Sequence, residues 1–155
     1  MVPVKIRTLK LEEITDSLIL QIKAMMDEGY DHHPFPREFT VNGFRAGVVE
    51  MIRRRAGILF VLETDSGEFA GALAAGICPD LVSERRFASE IIWRVNSKGK
   101  GYGNRLYDAF EQWAKRSKAQ SIVMAVMEDM NKEKISTFYK SRGFLPHSLQ
   151  FVKEV

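Results

Sequence analysis

The run Lys98-Gly99-Lys100-Gly101-Tyr102-Gly103-Asn104-Arg105 carries the residue types that an anion needs. Glycine at every second position lets the backbone bend tightly and lets a ligand reach bare amide N–H groups. A strand-like run, Ile91 to Val95, comes before it, and a helix-like run, Leu106 to Ser117, follows. The first turn of a helix holds N–H groups without intrahelical acceptors, at the positive end of the dipole. Phosphate or pyrophosphate is the expected guest, with Lys98, Lys100 and Arg105 adding full charges. A Walker loop would place Lys-Ser or Lys-Thr where Asn104-Arg105 stands, and a dinucleotide fingerprint would space its glycines as Gly-x-Gly-x-x-Gly. Both are therefore excluded. A tight strand-to-helix connection without any ligand would use the same glycines.

The elements that must hold this loop can be read from hydrophobic periodicity. Val4 to Leu9 alternates as a strand. Ile14, Leu18, Ile22 and Met25 recur at helical spacing up to Gly29, and Phe44, Val48, Met51 and Ile52 mark a second helix with Thr40 or Asn42 as its cap. Ile58 to Glu63 and Phe69 to Ile77 are strands around the turn Thr64-Asp65-Ser66-Gly67, and Phe87 to Val95 is a third. A helix with Leu106, Phe110 and Trp113, a strand from Ile122 to Val126, a helix with Ile135, Phe138 and Tyr139 stopped by Gly143, and a last strand near Leu149 to Lys153 complete the chain. The order β-α-α-β-β-β-α-β-α-β is mixed α/β. Three successive strands break the repeated βαβ units of a Rossmann domain.

The chain has 155 residues, which suits one domain spanning 1–155 with a single core. It is 45% hydrophobic and 28% charged, as soluble globular proteins are. A net charge of +3 gives little support to a nucleic-acid partner. Cys78 is the one cysteine, so no intrachain disulfide can form. It reads as a small buried thiol. No apolar run reaches the length of a membrane span, and no signal-peptide core is seen at the N-terminus. A cytoplasmic protein without a membrane partner is expected.

The segment Ile91 to Leu106 resembles the acetyl-CoA-binding motif of the GNAT N-acetyltransferases, Arg or Gln, two residues, then Gly-x-Gly or Gly-x-Ala. Lys98 stands where that family has Arg or Gln, and Gly101 and Gly103 are the small residues. A second element follows: Asn131, then Phe138-Tyr139-Lys140-Ser141-Arg142-Gly143-Phe144. The resemblance implies a mostly antiparallel central sheet flanked by about four helices. It implies an enzyme that moves an acetyl group from acetyl-CoA to a primary amine, by direct attack in a ternary complex and without a metal. Pyrophosphate would lie on the N–H groups of Gly99, Lys100, Gly101, Tyr102, Gly103 and Asn104. The pantetheine arm would pair with the backbone of Trp93, Arg94, Val95 and Asn96, and Asn131 would hold it or else cap the following helix.

Two side chains would carry the chemistry. The leaving thiol has a pKa near about 8.5, and a hydroxyl beside the sulfur can donate to it. The resemblance assigns this to Tyr139, which would otherwise be a packing residue. An amine of pKa about 10.4 must lose a proton, and Glu90, within the strand before the loop, is the candidate base. His32 and His33 fall in the Tyr30 to Arg37 segment that would border the acceptor, a small molecule or a peptide amine. Their spacing makes a poor metal signal. Arg53-Arg54-Arg55 reads as a solvated helix end and Trp113 as core. A non-catalytic module that binds CoA, another phosphate ligand or RNA is the alternative from a different class. Edge strands in such a fold could pair two copies into a homodimer.

Overall fold

The computed structural model describes residues 3–28, 38–126 and 131–155. The chain forms two compact units, Met1–Gly29 with Phe39–Met124, and Tyr30–Glu38 with Ala125–Val155.

The first unit is a five-stranded sheet with helices on both faces. Its strands are β1 (Val4–Thr8), β2 (Gly57–Thr64), β3 (Phe69–Pro79), β4 (Arg86–Val95) and β5 (Ser121–Val123). They lie in sequence order, antiparallel except for the parallel pair β4–β5. Strands buried on both faces need apolar side chains at every position. The Ile58-Leu59-Phe60-Val61-Leu62 run of β2 meets this need, and all five are buried. One face packs Leu59, Val61, Ala72, Ala74 and Ile92 against Ile19, Ile22 and Met25 of α1 (Asp16–Glu28) and against Phe44, Val48 and Val49. The alternate residues Phe60, Leu62 and Leu73 point to the other face. There α4 (Gly103–Arg116) buries Leu106, Tyr107, Phe110 and Ala114.

The second expected helix begins at Val41, where Thr40 Oγ1 accepts the N–H of Gly43 at 3.0 Å, so Thr40 rather than Asn42 is the cap. It runs as α2 (Val41–Phe44), one π turn (Arg45–Val49) and α3 (Glu50–Arg53). In the second unit α5 (Lys132–Ser141) ends where Gly143 takes φ +85°, the left-handed conformation glycine tolerates.

Two expectations are corrected. The strand placed at Ile122 to Val126 is the shorter β5. Residues 149–153 form no strand, and Leu149 and Phe151 are 71% and 89% exposed. Alternation alone does not make a strand, because strand pairing requires a neighbour to receive its N–H and C=O groups.

Candidate active site

Strand β4 positions the site. Its parallel ladder with β5 spans Phe87↔Ser121, Ala88↔Ile122 and Ser89↔Val123 and ends there, while β4 runs on beside β3 to Val95. Just past that point Ala75 lies opposite Glu90 and Ala74 opposite Ile92, leaving Ile91 as the extra residue of a β-bulge. A bulge bends its strand and re-aims the neighbouring side chains. Glu90 is half-buried beside it.

Asn96 then clamps the loop. Its main-chain N–H donates to Ala70 O at 3.0 Å and its Nδ2 to Phe69 O at 3.0 Å, while its Oδ1 accepts the N–H groups of Lys98 and Gly99 at 2.9 and 3.3 Å. Gly99 is packed so tightly against β3 that a Cβ would lie 2.2 Å from Ala70 O. Gly101 turns the chain at φ +90°. Gly103 opens α4, and its carbonyl accepts the indole N–H of Trp93 at 2.9 Å.

The amides divide into two sets. Those of Lys98, Gly99, Tyr102 and Arg105 are taken by Asn96, Gly99 and Tyr102 oxygens. Those of Lys100, Gly101, Gly103 and Asn104 have no acceptor among the described residues. The cradle open to an anion is therefore narrower than the full Gly99 to Asn104 run.

The cations are also redistributed. Lys98 pairs with Glu68, and the Lys98 ammonium holds the Glu68 carboxyl below its ordinary value. Arg105 donates to Val4 O at 3.1 Å and lies over the Tyr102 ring, 5.8 Å from its centre. Of the three, Lys100, exposed, is the one with no such partner among the described residues. Two of the charges expected to serve a ligand instead hold the loop to the sheet. Sequence reasoning missed both tethers and the Asn96 clamp, although an Asn before a turn is an Asx signal.

In the second unit Asn131 caps α5, its Oδ1 accepting the Lys134 N–H at 3.3 Å. Tyr139 is buried, and its hydroxyl donates to Ala125 O at 3.0 Å. The Phe144 N–H returns to Tyr139 O at 3.1 Å, and the two rings lie 5.3 Å apart, so the Phe-Tyr-x-x-x-Gly-Phe pattern closes a helix end as well as presenting a hydroxyl. Arg94 and Val95 are half-buried at the end of β4. Cys78 is half-buried, not fully enclosed. No group of metal-ligating side chains is found among the described residues. His32 and His33, with the rest of Tyr30 to Arg37, lie outside the described residues.

Arranged this way, the first unit offers open amides at a helix start beside a strand that outruns its parallel neighbour. That arrangement can hold a diphosphate at one point and an extended amide-bearing arm along β4. A family model described as "Acetyltransferase (GNAT) family" matches residues 20–144. No curated protein sequence matches the chain. Among solved structures, an aminoglycoside acetyltransferase from an uncultured soil metagenomic sample superposes with TM-score 0.73 at 14% identity, covering 98% of this chain and 96% of its own. Glucosamine-6-phosphate N-acetyltransferase from Arabidopsis thaliana gives 0.69 at 15% identity, covering 97% of each chain. Ribosomal-protein-alanine N-acetyltransferase from Brucella melitensis biovar Abortus 2308 gives 0.67 at 15%, covering 99% of each. At these identities the likeness is one of fold.

Proposed function

The chain belongs to the acetyltransferase (GNAT) family, and on that premise we propose that it transfers an acetyl group from acetyl-CoA to a primary amine by direct attack in a ternary complex. The observation that carries this is the set of open amides at Lys100, Gly101, Gly103 and Asn104, at the start of a helix that follows β4. The family match crosses both compact units, which supports one catalytic domain over 1–155.

Each part of the chain has a task in this proposal. The open amides and the Lys100 ammonium bind the pyrophosphate. The backbone of Trp93, Arg94 and Val95 pairs with the pantetheine arm, beyond the end of the β5 ladder. Asn96 acts through the loop it clamps, as a positioning residue. Asn131 caps α5 and keeps its Nδ2 for the arm. The bound thioester supplies an activated acyl carbon. Glu90 accepts the amine proton, directly or through water. Tyr139, whose hydroxyl proton is already directed at Ala125 O, turns it to the leaving sulfur. The amine is carried by a small molecule, as in the aminoglycoside and glucosamine-6-phosphate enzymes, or by a peptide.

Calorimetric titration with acetyl-CoA, followed by thiol release over a panel of amines, tests this. Saturable binding below millimolar ligand and amine-dependent release are expected. Binding without release over a broad panel would favour the non-catalytic module. Glu90→Gln should lower kcat roughly a hundredfold and leave acetyl-CoA affinity unchanged. An unaltered kcat would assign the proton to water alone.

A further inference from the structure

We propose that the end of the first unit's sheet opposite the glycine loop docks on an anionic lipid bilayer. The glycine loop leaves the C-terminal end of β4, whereas three basic segments gather at the other end. Arg54 and Arg55 follow α3 into β2, and the Ile77 N–H bonds Ala56 O at 2.7 Å, bringing the end of β3 beside them. Arg85 and Arg86 close the β3–β4 hairpin, where the Asp80 N–H bonds Arg85 O at 2.9 Å. Arg116 ends α4 and Lys118 lies in the turn after it, which is pinned to the same place: the Gln120 N–H bonds Arg86 O at 2.9 Å, and the Arg86 N–H bonds Gln120 Oε1 at 2.7 Å.

The charge at this end is unbalanced. Glu50 serves Arg53 and Arg54, and is held below its usual range by the bonds from Arg54 and Arg53. Arg55, Arg85, Arg86, Arg116 and Lys118 are exposed and form no ion pair among the described residues. On the same turns only Asp80 and Glu84 oppose them; Asp80 accepts the Val82 N–H at 3.0 Å and the Ser83 hydroxyl at 2.8 Å within its own hairpin, and its carboxyl also feels the charge of Arg85.

At the tip of that ordered hairpin stand Leu81 and Val82, 92% and 94% exposed. These two adjacent, almost fully exposed aliphatic side chains stand on a turn stapled by Asp80. Aliphatic side chains enter the acyl boundary of a bilayer while guanidinium groups meet its phosphates. A single-stranded nucleic acid fits less well, because single strands are held by stacking on aromatic rings as well as by charge. The turns Arg53–Gly57, Pro79–Arg86 and Arg116–Gln120 contain no aromatic residue. No helix of the described residues is long and apolar enough to cross a membrane. A surface dock needs none, and this proposal departs from the expectation of no membrane partner.

Co-sedimentation of the whole chain with phosphatidylglycerol–phosphatidylcholine vesicles, against phosphatidylcholine alone, tests this, with single-stranded RNA as a competing arm. Partition should favour the anionic vesicles by about tenfold or more and weaken as salt rises. The double variant Leu81→Asp/Val82→Asp should lose that binding, and Arg85→Glu/Arg86→Glu should reduce it by about tenfold. Both should keep the wild-type melting temperature, since these side chains are exposed. Equal partition to neutral and anionic vesicles, or full binding by the Leu81→Asp/Val82→Asp variant, would overturn the proposal. So would RNA binding in place of vesicle binding.

Discussion

The loop is held by particular atoms, and Asn96 does most of the holding. One side chain joins two loop amides to the backbone of β3, so Asn96→Ala removes three hydrogen bonds at once. Binding of acetyl-CoA should weaken at least tenfold, with a smaller loss of thermal stability, as calorimetry and thermal melts would read. The Lys98–Glu68 pair closes the same loop and carries a pH signature. Glu68 titrates below its ordinary value when folded, because Lys98 and Ser66 bond its ionised form. Its contribution is therefore complete above the unfolded carboxylate pKa and is lost as pH falls through the lowered folded value. The pair is exposed, so the effect is modest. Glu68→Gln should remove that contribution at neutral pH as well, lowering the neutral plateau of thermal stability slightly and flattening its acid limb, as melts across pH would read.

Among the elements, α4 joins the core to the site. Gly103 begins it, and a Cβ there meets only Trp93 Nε1 at 3.7 Å and Val95 Cγ1 at 4.0 Å. Gly103→Glu can therefore be accommodated, and a carboxylate at a helix start favours the dipole. Acetyl-CoA binding should nevertheless be abolished, because the new charge would occupy the place proposed for the pyrophosphate. A melting temperature held at or above wild type would separate lost binding from lost folding. Gly101 would be a poorer probe, since its φ of +90° strains any other residue. Most of these elements were legible in sequence, because a helix face and a strand face repeat with different periods. The loop's internal wiring was not. Lys98 meets Glu68 and Arg105 meets Val4 O only once the sheet has brought distant segments together. The strand expected near Leu149 failed for the same reason, since its pattern said nothing about a partner.

For the molecule as a whole, stability and binding share one scaffold. Phe110 is fully buried, with ring centres 6.3 Å from Tyr107 and 6.2 Å from Trp113. Phe110→Ala should cost roughly 3–5 kcal/mol, measured by chemical denaturation. It should also weaken acetyl-CoA binding, because the same helix presents the Gly103 and Asn104 amides. The chain's structural relatives include aminoglycoside, glucosamine-6-phosphate and ribosomal-protein-alanine acetyltransferases, so the fold by itself does not name an amine.

The shortness of the β4–β5 ladder sets a gradient of local opening. Only three residue pairs hold β5, at the margin of the sheet, and Ser121 and Val123 are exposed. Backbone amides of β5 should exchange with deuterated solvent well before those of β2 and β3, which are enclosed on both sides. The edge of the sheet beside β4 should then open first, on the side where the proposed thioester would lie.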